Sequence, residues 1–172
     1  MAERSGKATR RPPGGPRVGG KPVVSVVRGG RRFAVAPPVE VPKVARRRSG
    51  VHGWGMYALE DIPKNKRIIP YLGELVSSAE SLEREARHLE RGHIWCFKLN
   101  GRWAVDAAVC GNDARFVNHS CAPNCYSQIV DGTIWIRAAR TIRKGEELTY
   151  DYHTDGDGMI TCLCRPGCRT RI

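Results

Sequence analysis

Apolar positions along most of this chain come in short runs, several with a two-residue repeat. That is the pattern of half-buried strands and not of long helices. Residues 67–72, 93–99, 103–105, 133–137 and 147–150 read as strands. Pro70 puts the first of these at a sheet edge or a bulge, because proline has no N–H to give to a ladder. Asn100-Gly101, between the second and third, is a two-residue hairpin signal. One stretch breaks the pattern: from about residue 78 to 91, Ala79, Leu82, Ala86 and Leu89 recur at 3–4–3 spacing and predict a helix with that stripe toward the core. Ser77 and Glu80 make a capping-box pair, and Gly92 supplies the stop. Glu80–Arg84 and Glu83–Arg87 lie four residues apart on the expected wet side. The predicted fold class is mostly β, of α+β type, with several small sheets and one clear helix. No internal repeat is present.

The N-terminal part follows other rules. Residues 1–22 are poor in apolar side chains and dense in Gly, Pro and Arg, which predicts disorder. The β-prone runs 23–27 and 33–35, split by Gly29-Gly30, either form a loose hairpin or stay unfolded. Residues 1–40 are therefore expected to be a tail, with compact structure from about Val41.

Charge sharpens that division. Residues 1–48 hold 13 Lys+Arg against 2 Asp+Glu, whereas residues 49–172 hold 16 against 15. The basicity belongs to the tail, which either favours polyanions such as nucleic acid or simply keeps the chain soluble. The Arg46-Arg47-Arg48 run fits the first strand of the folded part. No apolar run reaches the roughly 18 residues of a membrane span, and the first residues lack an apolar leader. These features predict a soluble protein made in a reducing compartment. A chain of 172 residues can bury a sufficient core without disulfides or metal.

Four strings carry candidate chemistry. Ser49-Gly50-Val51-His52-Gly53-Trp54-Gly55-Met56-Tyr57 is a turn whose backbone can approach a ligand, with Trp54 or His52 to cover it; by itself Gly-x-Gly is usually only a turn. Arg115 and Asn118-His119-Ser120-Cys121 offer donors, acceptors and a fixed cation for a polar cofactor. Pairing His119 with Ser120 as base and nucleophile is poor geometry, because adjacent side chains on an extended segment point apart. Cys162, Cys164 and Cys168 put three thiols in seven residues, a metal-site signal one ligand short of a tetrahedral zinc shell. Cys121 is the leading fourth ligand, with Cys125, His119 and His153 as rivals. In Tyr150-Asp151-Tyr152 a strand would place two phenols on one face, able to hold an amine or simply to pack. Tyr71 faces the same choice.

In order and spacing, these strings make the chain from about Val41 to Cys168 resemble the SET-domain family of protein lysine methyltransferases with a post-SET zinc tail. The matching residues are Val51-His52-Gly53-Trp54-Gly55, Tyr71-Leu72-Gly73-Glu74, Val105-Asp106-Ala107, Gly111-Asn112, Arg115 to Cys125, Gly145 to Tyr152 and the final cysteines. Within the family, the chain is most similar to trithorax-like catalytic domains. The resemblance implies a β-clip of several small sheets, with a C-terminal pseudoknot that brings Asn118-His119 beside Tyr150. It implies a SET catalytic domain over 41–152 and a post-SET zinc tail over 153–172. It implies S-adenosylmethionine as methyl donor, held by His52, Gly53, Trp54, Gly55, Trp95, Arg115, Asn118 and His119. Tyr150 matches the catalytic tyrosine, Tyr152 the position that limits methyl count, and Tyr71 the lysine channel. With Tyr152 in that place, mono- or dimethylation is expected. Cys121, Cys162, Cys164 and Cys168 match the zinc ligands. Relatives usually have four residues between the last two cysteines; the three here give a tighter loop that puts one ligand at risk. The implied substrate is a histone or another basic protein with an exposed lysine. The chain is expected to act as a monomer, in the cytoplasm of a bacterium or on the chromatin of a nucleus.

Overall fold

The computed structural model describes residues 17–18, 21–22, 25–152 and 160–172. The expected disorder of residues 1–22 falls mostly outside that set. In chain order the strands are β1 (Arg17–Val18), β2 (Lys21–Pro22), β3 (Ser25–Arg28), β4 (Arg31–Ala34), β5 (Val44–Arg48), β6 (Trp54–Ala58), β7 (Arg67–Pro70) and β8 (Glu74–Ser77). After helix α1 (Ser78–Leu89) come β9 (Cys96–Lys98), β10 (Trp103–Asp106), a 3-10 turn (Asp113–Phe116), β11 (Asn118–His119), β12 (Cys125–Val130), β13 (Thr133–Ala138) and β14 (Glu147–Tyr150). They form sheets in the orders β1-β2, β3-β4-β8-β10-β9, β11-β14-β6-β5 and β12-β13-β7. This is the expected mostly-β architecture of small sheets around one helix.

Two apolar clusters fill the interior. One gathers Met56, Ile62, Ile68, Val117, Ile136, Ile142, Leu148 and Tyr150; the other gathers Tyr71, Leu75, Leu99, Val105, Ala114 and Ile134. Ile69 and Phe97 pack against both. Two of the singled-out tyrosines thus sit in different clusters that meet at Phe97. On β13, Ile134, Trp135 and Ile136 are all buried, so both faces of that strand are covered and the expected alternation is absent.

Several local expectations change. Strands β3 and β4 form a hairpin, and β4 joins β8 through the Phe33–Glu74 register, so paired structure begins before residue 41. The loop between β9 and β10 is longer than the Asn-Gly signal implied. Leu99 N–H donates to Trp103 O, while the Asn100 side-chain oxygen accepts from Arg102 and Trp103 N–H. That side chain takes over the turn, and Gly101 needs no positive φ. Pro70 does lie on an edge strand, with a register shift on its partner β13 between Ile136 and Arg137. Arg46, Arg47 and Arg48 lie on β5, as expected.

The largest correction concerns α1. Its N-terminus is capped as expected, Glu80 N–H donating to Ser77 Oγ at 3.1 Å. Its apolar stripe, however, faces out: Ala79, Leu82 and Ala86 are exposed, Leu82 at 74%. The face toward the sheet carries Arg84, Glu85 and His88. The reason lies on the neighbouring strands. Glu74 on β8 and Asp106 on β10 are register partners and both are buried. Buried carboxylates need a cation, and Arg84 donates to Glu74 Oε2 at 2.7 Å and to Asp106 Oδ2 at 2.8 Å. Charge, not the apolar stripe, sets the rotation of this helix.

Candidate functional site

The central string is positioned by an unusual pairing. Strand β11 runs parallel to β14, with Asn118 opposite Thr149 and His119 opposite Tyr150. Ser120 N–H then donates to Tyr150 O at 3.2 Å. Residues about thirty positions apart are thereby held side by side, beside β6, which pairs with β14 through Met56 and Tyr57.

A half-buried polar hub fixes this junction. The Glu147 carboxylate accepts from Ser49 Oγ at 2.7 and 2.9 Å, from Tyr57 OH at 2.9 Å and from Asn118 Nδ2 at 2.8 Å. Asn118 Nδ2 also reaches Trp54 O at 3.0 Å. With the amide nitrogen so committed, the amide oxygen is the side-chain acceptor left to a ligand. Gly55 serves this hub. A Cβ there would stand 2.1 Å from Glu147 Oε1, so only glycine lets the carboxylate approach. Charge next to Tyr57 and burial together raise its pKa, burial leading.

An open cleft with an interior of about 150 Å³ lies against this junction. Of the predicted cofactor residues, His52, Gly53, Trp54, Trp95, Arg115, Asn118 and His119 line it. Gly55 stands behind the wall. Sequence reasoning missed His93, Phe116 and, from the C-terminal segment, Ile160, Leu163 and Ile172. His93 stacks on Trp95 with ring centroids 4.1 Å apart. The GHIW string offered that signal as two flat side chains two residues apart.

Arg115 is held by Nη1–H donation to Ala107 O at 2.8 Å, with its guanidinium over the Trp95 and Phe116 rings. Its buried Nε–H has no partner among the described residues. A buried unpaired donor in the wall of a cleft is costly unless a ligand acceptor meets it. Arg46 and Arg48 lie over the exposed Trp54 ring at 5.0 and 4.4 Å.

Three phenols gather next to the cleft. Tyr152 lines it, and its OH donates to Val117 O at 3.0 Å. Tyr71 OH donates to Trp95 O at 2.8 Å. Tyr150 stands one layer further in, with ring centroids 4.8 Å from Tyr152 and 5.9 Å from Phe97. Burial raises the pKa of all three, so they are neutral phenols near pH 7 and not bases. For Tyr71 and Tyr152 the proton is committed to a backbone carbonyl, which leaves oxygen lone pairs as acceptors. His119 Nδ1 accepts from Tyr152 N–H at 3.3 Å, tying the ring to the same strand end. Thus Tyr152 occupies the cleft wall, whereas the sequence reading gave the catalytic place to Tyr150.

Cys121, Cys162, Cys164 and Cys168 converge, with every sulfur within 4.8 Å of the others. Cys121 Sγ lies 3.7 Å from Cys162 Sγ and 3.8 Å from Cys168 Sγ. A tetrahedron with zinc–sulfur arms of about 2.3 Å has edges of about 3.8 Å, so the thiols present fit the ion. Thr170 hydrogen bonds pull Cys168 down to about 6. The short Cys164–Cys168 loop closes on Gly167 at φ +73, with Cys168 N–H donating to Arg165 O, and displaces none of the four. Of the rivals, Cys125 is buried beside Asn124, His119 Nε2 lies 3.5 Å from Cys121 Sγ, and His153 lies outside the described residues. The segment is pinned by Ile160–Ile172 and Cys162–Thr170 backbone bonds.

Residues 53–153 match the family model described as SET domain, more than half the chain. The chain belongs to the SET-domain family. It is 47% identical over 124 residues to histone-lysine N-methyltransferase trithorax of Drosophila virilis, covering 68% of this chain and 3% of that protein. It is 44% identical over 133 residues to an H3 lysine-4 specific histone-lysine N-methyltransferase of Aspergillus oryzae, covering 71% and 11%. With histone-lysine N-methyltransferase set-2 of Caenorhabditis elegans it shares 41% over 124 residues, covering 68% and 8%. The chain therefore spans about a tenth or less of the length of these relatives. A solved structure titled ctPRC2 in an autoinhibited conformation bound to S-adenosylmethionine aligns with TM-score 0.62 and 32% identity, over 70% of this chain and 16% of that one.

Proposed function

We propose that this chain is an S-adenosylmethionine-dependent protein-lysine N-methyltransferase acting on a histone or another basic protein. One observation carries the reading: Asn118-His119 and Thr149-Tyr150 pair in parallel at the wall of a cleft that also holds seven of the eight predicted cofactor residues. The kinship to histone methyltransferases and to a structure with S-adenosylmethionine bound supports it. Action on nuclear chromatin goes with a histone substrate. Among the described residues no helix is long and apolar enough to cross a membrane.

When bound, S-adenosylmethionine supplies a methyl group on a sulfonium, already activated toward an amine. The chain's own task is then mainly alignment. The flat walls of Trp54, Trp95 and Phe116 suit an adenine-sized ring, the Arg115 Nε–H suits a ring acceptor or a carboxylate, and the Asn118 amide oxygen suits an amino N–H. The Tyr152 and Tyr71 oxygens, their protons committed elsewhere, accept from a lysine N–H and orient its lone pair. Because the phenols stay neutral, no strong base acts; the apolar surroundings of Phe97 and the tyrosines favour the uncharged amine.

The two tyrosines divide the work by position. Tyr152, in the cleft wall, faces the reacting groups. Tyr150, behind it against Phe97, limits the room around the amine and so the methyl count. This reverses the roles expected from the sequence. Within this reading residues 41–152 are the catalytic domain, and residues 153–172 are a zinc-organised tail that closes the cleft. The basic residues 1–48 are a candidate contact for nucleic acid.

Incubating zinc-loaded protein with labelled S-adenosylmethionine and core histones tests the reading. Label on histone lysine is expected, and no label on histones or on a whole lysate would overturn it. Tyr152→Phe is expected to remove most turnover, whereas Tyr150→Phe is expected to raise the methylation state of the product. The opposite pattern would restore the roles read from sequence.

A further inference from the structure

A second cluster of ligating groups lies away from the tail thiols. His88 on α1, Cys96 on β9 and Asp106 on β10 place their ligand atoms within 4.8 Å of one another. His88 Nε2 stands 3.3 Å from Asp106 Oδ1. In a tetrahedral zinc shell, nitrogen and oxygen arms of about 2.0–2.1 Å leave an edge of about 3.3 Å, so this pair already has the spacing of two ligands on one ion. All three groups come from different elements, which a chain places together only through its tertiary fold.

The surroundings match those of a ligand shell. Asp106 is 1% exposed; its Oδ2 accepts from Arg84, and its Oδ1 accepts from Ala108 N–H at 2.8 Å. Outer partners of this kind orient a ligating carboxylate. Glu85 lies outside this trio and braces it, its Oε2 accepting from Cys96 N–H at 3.0 Å. Binding of a divalent ion would displace the Cys96 thiol proton into solvent, and one Cys, one His and one carboxylate together suit zinc or cobalt better than calcium or magnesium.

We infer that His88, Cys96 and Asp106 form a second transition-metal site that clamps α1 onto the β9–β10 hairpin. The clamp lies behind the cleft: the His88 ring is 5.6 Å from that of Trp95, and Trp95 O accepts from both Tyr71 OH and Ala107 N–H. Occupancy would stiffen the segment that carries Trp95, whatever reaction the cleft performs.

Native mass spectrometry of the full chain, stripped and then reloaded with zinc, tests this. Two ions per chain are expected, falling to one in the His88→Ala, Cys96→Ser double variant and staying at two in a Cys110→Ser control. Cadmium NMR of the wild-type chain should give one resonance for an all-sulfur site and a second for a site with one sulfur among nitrogen and oxygen. A wild-type chain that takes up one ion, or a second ion that survives the double variant, overturns the assignment. If circular dichroism shows the double variant unfolded, the wild-type cadmium spectrum decides by itself: an all-sulfur resonance alone refutes the site.

Discussion

On one side of the cleft, Asn118 and Trp54 hang from a four-stranded sheet backed by Met56, Leu148 and Ile142. On the other, Ile160, Leu163 and Ile172 hang from a thirteen-residue segment whose convergence point is four thiols. The first wall is set by apolar burial and by a carboxylate hub with every near donor in place. The second has few buried side chains, Cys162 among them, and depends on a metal to hold its sulfurs together. A cleft made this way has a preformed half and a half whose order follows the ion. The preformed half is where a ligand's polar groups can be read.

The largest expected effect lies outside both walls, where α1 seats on the five-stranded sheet. Arg84→Leu removes the cation shared by Glu74 and Asp106 and should cost about 3–5 kcal/mol of unfolding free energy in urea titrations. A loss below 1 kcal/mol would mean that apolar packing alone seats α1. Next, stripping zinc should leave the urea midpoint nearly unchanged yet lower methyl transfer on the order of 10²-fold, since alignment against the closed cleft is lost. Hydrogen exchange over residues 160–172 should rise sharply while β6 and β14 stay protected. Equal loosening of both walls would erase the contrast between them.

Asn118→Ala should cost about 1–3 kcal/mol of stability, because Glu147 keeps Ser49 and Tyr57 but loses a charged-acceptor bond. Donor affinity should fall with it. Leu82→Gln marks the small end, within about 0.5 kcal/mol, because that side chain is in water. A cost typical of a buried leucine would mean that the helix stripe does face a core.

Acid offers a finer test. Burial, with neighbouring His52, His88, Arg91 and Arg115, holds the pKa of His93 below its ordinary value of about 6.5. A depressed histidine means the unfolded chain binds the extra proton first. The stability it confers is whole above about pH 6.5 and declines as pH falls toward its folded value. His93→Asn should therefore flatten the fall in melting temperature below pH 6.5. An unchanged acid slope would take His93 out of that account.

Much of the site was legible in advance because its parts are contiguous strings: Asn118-His119, the Gly53-Trp54 turn and the tail cysteines each advertise chemistry within a few residues. What failed shows the limit of such reading. The stripe Ala79, Leu82, Ala86 obeys helical spacing, but spacing cannot reveal that the opposing surface carries Glu74 and Asp106. Glu147 lay inside a noted string, yet its role as hub depends on Ser49 and Tyr57, some ninety positions earlier. The ordering of Tyr150 and Tyr152 depends on depth from the cleft, which a strand pattern places on one face without ranking. Residues 25–34 were left between a loose hairpin and an unfolded tail because their β-prone runs are short and split by Gly29-Gly30; the hairpin forms, and its pairing with β8 could not be read from those runs.

Calorimetric titration of the zinc-loaded chain with S-adenosylmethionine tests the central claim most directly. One binding event per chain is expected, weakened by Asn118→Ala and by Arg115→Leu but kept by Tyr150→Phe and Leu82→Gln. Absence of binding in the zinc-loaded wild-type chain, or binding indifferent to Asn118 and Arg115, would contradict the claim that this cleft holds the methyl donor.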